Sequence, residues 1–215
     1  MHKKILLIVS ASFLGLFISH ATVTGIPSWG YSGGFYCYNP ALTTDGTGAQ
    51  SVGVSGWQSS FGAMNLAIQT DTATDPTLTI NNSIDNESSF AWTAYIVNVA
   101  MSQTFTINSA GVVAPAGWTA TITQPSGPVS GVYTGTIDYV GGTPVAIYPG
   151  LNSTLDFGYQ VQFSGATLYS LTESANPVPE PGTFSFLLVG GLLLGAGAVA
   201  KRRQARKDSR LRVRA

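Results

Sequence analysis

The chain has 215 residues, 44% of them hydrophobic and only 9% charged, and its ten basic and ten acidic side chains cancel formally. Their placement does not cancel: every Lys and Arg lies before Ile5 or after Ala200, whereas Asp45, Asp71, Asp75, Asp85, Glu87, Asp138, Asp156, Glu173 and Glu180 all lie between. A body without a cation cannot neutralise phosphates, which excludes nucleic acids and anionic phosphates as ligands. With His2 and His20 confined to the N-terminal leader, it also excludes Ser-His-Asp and Cys-His centres and His-ligated zinc.

In chain order, His2, Lys3 and Lys4 form a positive start, Ile5 to Ile18 an apolar run, and Ser19-His20-Ala21 a small-x-small site. This is the pattern of a secretory signal peptide over residues 1–21, cut between Ala21 and Thr22. Residues 22–175 then suffice for one domain with a real core. Ile26 to Gln50 is rich in glycine, and its order is left open. It holds Cys37, the only cysteine, so no intramolecular disulfide forms; within Phe35-Tyr36-Cys37-Tyr38 it reads as a small buried hydrophobe.

Beyond it the pattern is that of strands. Leu155 to Phe163 places apolar side chains at every second position; Trp118 to Thr123 alternates similarly, and Met64 to Ile68 and Leu78 to Ile80 do so more weakly. Trp92 to Val99 is more continuously apolar and β-prone, as expected of a central strand. Gly and Pro punctuate these runs at short intervals, and Gly141-Gly142-Thr143 between Val132–Val140 and Pro144–Tyr148 predicts a hairpin turn. The expected fold is all-β: an antiparallel two-sheet β-sandwich, Ig-like or jelly-roll.

Aromatic residues offer a binding chemistry that needs no charge. Trp92 and Trp118 sit inside alternating strands and are expected in the core, whereas Trp29 and Trp57 stand beside Gly-rich segments and are candidates for stacking on sugar rings. Carboxylates offer a second chemistry. Asp71 with Asp75, and Asp85 with Glu87, bring oxygen donors together in expected loops and are weak calcium candidates; neither pair matches a dedicated calcium loop. Glu87, Asp138 and Asp156 keep a two-carboxylate glycosidase among the alternatives. No other cofactor is implied.

The end of the chain is an address. Asn176 to Pro179 predicts the start of a stiff extended linker over residues 176–183, since proline fixes φ and denies ladder hydrogen bonds. The uncharged run 184–200 predicts a short transmembrane helix, about 26 Å at 1.5 Å per residue against a hydrocarbon core of about 30 Å. The basic tail 201–215 stays in the cytoplasm, which places the β-domain outside. Gly191 and Gly195 have GxxxG spacing for a partner helix.

Pro179-Glu180-Pro181, the apolar run and Lys201-Arg202-Arg203 together resemble the sorting signal of PEP-CTERM proteins. The resemblance covers about residues 177 to 207, and the tail continues past the usual abrupt stop. It implies a Gram-negative envelope, recognition by an exosortase at the outer surface of the inner membrane, and association with exopolysaccharide. The expectation is therefore an exported, non-catalytic surface or extracellular-matrix protein, with a carbohydrate-binding module as the alternative and a carboxylate-dependent glycosidase behind it.

Overall fold

The structure is a computed structural model that describes residues 21–180. The expected leader before Ala21, Pro181, the apolar run 184–200 and Lys201, Arg202 and Arg203 lie outside the described residues. Those described form ten strands and no helix: β1 (Val23–Cys37), β2 (Ala41–Thr44), β3 (Gln50–Thr70), β4 (Thr77–Asn86), β5 (Trp92–Met101), β6 (Phe105–Val113), β7 (Trp118–Thr123), β8 (Tyr133–Val145), β9 (Thr154–Phe163) and β10 (Leu168–Pro179). The all-β expectation holds.

The hydrogen-bonded ladder does not divide cleanly into two sheets. One continuous, barrel-like sheet runs β6-β9-β4-β3-β10-β5-β8-β7, with β1 and β2 attached to β3. The cause is β3, which at 21 residues is long enough to serve both arms of the sheet. Ser51 to Gln58 pair with β4, and Gly62 to Gln69 pair with β10. The β3–β4 pairing is parallel, because the chain reaches β4 only after β3 has turned back along β10.

Where β3 passes from one arm to the other, the ladder is interrupted, and Gln58 repairs it. Its buried amide nitrogen donates to the Ser60 carbonyl at 2.8 Å and the Ala175 carbonyl at 2.9 Å, while its oxygen accepts from the Tyr95 hydroxyl. Two other glutamines imitate a peptide unit outright, since an amide carries one donor and one acceptor direction like the backbone. Gln124, beyond β7, binds both the amide and the carbonyl of Ile107 on β6, at 2.9 and 2.6 Å, which stitches the two terminal strands of the sheet together. Gln50 does the same for Val23.

The inner faces follow the alternation. Leu155, Phe157, Tyr159, Val161 and Phe163 of β9 are buried, and rings run across the interior from Trp92 to Tyr95, Phe157 and Tyr139 with centroids 5.3, 5.2 and 5.0 Å apart. Trp92, Trp118 and Cys37 are buried, as read from their strands. The glycine pair makes no hairpin turn: Gly141-Gly142 lie inside β8, at an irregularity where the register against β5 shifts between Val140 and Val145, and the Trp118 indole lies on Gly141 where a Cβ would stand.

Asn176–Pro179, expected as linker, belongs to β10 and pairs with β5, so that Pro177 lies opposite Tyr95 and Pro179 opposite Trp92. Proline is tolerated because β10 has lost β3 as its second neighbour beyond Ala175, and a missing N–H on an open edge costs no ladder bond. At the other end of the domain the Thr22 amide donates to Asp71 at 2.8 Å. Cleavage after Ala21 would leave an ammonium group there, beside a carboxylate.

Candidate functional site

Trp29 and Trp57, far apart in sequence, belong to one surface row. Trp29, Tyr31, Tyr36 and Tyr38 come from β1 and its exit, and Trp57 comes from β3 opposite Tyr36. Ring centroids are 6.2 Å apart for Trp29–Tyr31, 4.7 Å for Tyr31–Tyr36, 5.4 Å for Tyr36–Tyr38 and 5.1 Å for the stacked pair Tyr36–Trp57. Trp29, Tyr31 and Tyr38 remain 37%, 45% and 59% exposed. Tyr36 and Trp57 are half-buried against each other.

A regular strand would not bring these rings together. Residues 31 and 36 would lie ~17 Å apart on opposite faces at ~3.3 Å per residue. The register instead shifts between Gly33 and Phe35, opposite Ser59, Ser60 and Phe61 of β3. Gly33 adopts a left-handed φ of 66°, a conformation glycine takes without steric cost. A Cβ on Gly34 would come within 2.6 Å of the Ser60 amide nitrogen. Two adjacent glycines thus let both strands turn a corner, and the corner gathers the row.

The chemistry available is stacking. An exposed aromatic face meets the C–H face of a sugar without charge, and tyrosine hydroxyls bond its rim. With no Lys, Arg or His from Thr22 to Ala200, an acidic polymer would find only repulsion. The sequence singled out the two tryptophans and passed over Tyr31, Tyr36 and Tyr38, although Tyr36-Cys37-Tyr38 alternates aromatics about a buried residue. Their convergence depends on the bulge, which a sequence pattern does not encode.

The carboxylate candidates disperse. Asp71 and Asp75 lie beyond the end of β3, while Asp85 and Glu87 lie at the far end of β4, so the two expected calcium pairs sit at opposite ends of the domain. Asp71 accepts from Thr22, and Asp85 accepts from the Thr154 hydroxyl at 2.5 Å. No three acidic, His or Cys side chains converge among the described residues. Of the glycosidase candidates, Glu87 and Asp156 are exposed, and Asp138 is half-buried on β8.

Glu173, which the sequence did not single out, is the carboxyl in the interior. It occupies an inward position of β10, accepting from the Tyr159 hydroxyl at 2.6 Å and the Asn82 amide at 3.3 Å. Its Oε1 and the Asn82 Oδ1 have no partner. Burial, only partly opposed by those two hydrogen bonds, pushes the carboxyl up to about 7. Burial and the Glu173 field also push the Tyr95, Tyr139 and Tyr159 hydroxyls up and the Cys37 thiol to about 11, leaving all four uncharged at neutral pH.

Comparison with protein-family models, curated proteins and solved structures found no match to this chain. Among the described residues no helix is long and apolar enough to cross a membrane.

Proposed function

We propose that this is an exported, exosortase-sorted surface protein of a Gram-negative bacterium whose β-domain binds extracellular polysaccharide without catalysis. The observation that carries the binding half is the row of five rings, three of them well exposed, on a domain without a cation. Rings spaced one after another suit an extended chain of sugars, and the acidic body selects a neutral polymer over an acidic one. The finer architecture we favour is two-layered, with β3 shared by both layers. Support comes from the hydrogen bonds that cross between the arms, from Tyr139 to the Gly158 carbonyl at 2.9 Å and from Tyr159 to Glu173.

Affinity electrophoresis of the exported protein tests the binding. Hydroxyethylcellulose in the gel should retard it and alginate should not, and Trp29→Ala with Trp57→Ala should weaken retardation about tenfold, the scale of a lost stacking contact. Equal retardation of variant and parent would move binding away from this row. Release of reducing sugar would make the protein an enzyme.

The sorting half rests on the Pro179-Glu180-Pro181 sequence ahead of an apolar run and a basic cluster. Glu180 stays at the interface because its charge would cost several kcal/mol in hydrocarbon. Glu180→Ala should leave export intact and block processing, so that full-length protein accumulates in the inner membrane. An immunoblot showing the variant processed like the parent would reduce the tripeptide to a spacer.

A further inference from the structure

β10 runs to Pro179, and only four residues, Glu180 to Thr183, separate it from the apolar run that begins at Phe184. Four residues reach at most ~14 Å. If the run anchors the chain, as proposed above, the end of the barrel that carries Pro179 rests close to the bilayer. Strand directions identify that end. Pro179 lies opposite Trp92 at the start of β5, and Trp92 lies opposite Val145 at the end of β8. The loop that follows Val145 therefore emerges beside the chain's exit.

That loop carries Ile147, Tyr148 and Leu151, which are 44%, 50% and 90% exposed. Water is an expensive surrounding for such side chains on a short loop, and the loop is braced. Its two stems are joined by the Ala146 amide to the Asn152 carbonyl at 3.1 Å, and Gly150 closes a turn onto Ile147 at 2.8 Å. The Tyr148 amide donates to the Asn86 carbonyl at 2.7 Å, and the Asn86 amide to the Ser153 carbonyl at 2.8 Å. Asn86 is itself buried, its side chain donating to the Phe90 and Val145 carbonyls. The apolar tip is thus held outward by a fixed scaffold.

We infer that this tip is a membrane-docking surface: Ile147, Tyr148 and Leu151 enter the interface of the bilayer that anchors the chain, which orients the barrel. The partner is a zwitterionic lipid surface, because Glu87 and Glu180 stand at the same end and no basic side chain is there to recruit anionic headgroups. An amphipathic Tyr beside branched apolar residues is what an interface accommodates. The inference rests on the anchoring reading and adds to it the face that meets the lipid.

The full chain, reconstituted in phosphatidylcholine vesicles containing a doxyl-labelled lipid, tests it. Cys37 is buried, so Leu151→Cys and, at the opposite end of the barrel, Ser102→Cys can each be labelled with an environment-sensitive dye. The dye at 151 should shift to the blue and be quenched at least twofold, and the dye at 102 should report water. Ile147→Ser with Tyr148→Ser should relieve the quenching at 151 while the protein still floats with the vesicles. Floating protein with an unquenched dye at 151, or quenching that survives the double substitution, overturns docking and leaves anchoring intact. Protein that does not float overturns the anchoring, and the docking with it.

Discussion

Glu173→Gln should make the domain more stable at pH 8 than the parent and remove most of its pH dependence. The ordinary carboxyl value of 4.5 is raised to about 7 by burial in the fold. A raised folded value means that the contribution of Glu173 is fully present below the unfolded value, is lost as the pH climbs through about 7, and is gone above it. The difference corresponds to roughly 3 kcal/mol, or a fall of ~6–12 °C in melting temperature for a domain of this size. Gln keeps an acceptor for Tyr159 and adds a donor that can meet the unpartnered Asn82 oxygen. The groups facing Glu173 do not confuse the measurement. Tyr95, Tyr139 and Tyr159 are pushed up further still, Cys37 stands at about 11, and no basic side chain lies in the domain. Asp45 acts in another window: hydrogen bonds from Thr47 and neighbouring amides hold it below its ordinary value, so its contribution is lost only at acid pH. Thermal unfolding of both proteins from pH 4 to 8 decides; parallel curves would assign the titration elsewhere.

What the sequence made legible was whatever depends on alternation. The inward positions of β9, the central place of β5 and the burial of Trp92 and Trp118 follow from side-chain period and bulk alone. The same rule, applied to Tyr169, Leu171, Glu173 and Ala175, places Glu173 inside, and only the expectation that carboxylates face water hides it. The route of β3 was not legible. Its inward parity is the same at Gln58 and Gly62, and the break between them is only the exposed run Ser59, Ser60 and Phe61, which in sequence looks like any short interruption. The glycine pairs show the limit of punctuation. Gly33-Gly34 turns a corner, whereas Gly141-Gly142 sits at an irregularity inside β8 without reversing the chain. The difference is made by what packs against each, Ser60 in one case and Trp118 in the other. The prolines of β10 misled in the opposite sense, because a residue that cannot serve a central ladder serves an open edge well.

The row of rings and the interior carboxyl divide the molecule by solvent. Inside, polar groups are spent on holding β3 where it changes partners, through Gln58, and on the Tyr159–Glu173–Asn82 contact between the arms. Outside, the β1 flank carries rings and no cation. A domain so built has little with which to hold a ligand except shape and stacking, and its specificity must come from the positions of the rings.

Those positions depend on the corner, and Gly34→Ala should destroy the row while leaving every ring in the chain. The added methyl would fall against Ser60 Oγ and stand 2.6 Å from its amide nitrogen and 2.9 Å from its carbonyl oxygen. A hydroxyl can rotate away; the backbone cannot move without opening the pairing of β1 with β3. The cost should be about 1–3 kcal/mol, the usual range for forcing an extra methyl into filled space. The functional loss should be the larger effect. Tyr31 and Tyr36 meet only because Gly33 and Gly34 bend the strand between them, so relaxing the bend returns the two rings toward opposite faces. Retardation in hydroxyethylcellulose should then fall at least as far as in the double tryptophan variant, at a temperature where the protein is still folded. Gly46→Ala is the companion measurement, because a Cβ there meets nothing within 4 Å and the backbone is not left-handed. It should match the parent in stability and in retardation. Should Gly34→Ala bind as the parent does, the polymer is held by single rings and not by the row, and the bulge belongs to folding alone.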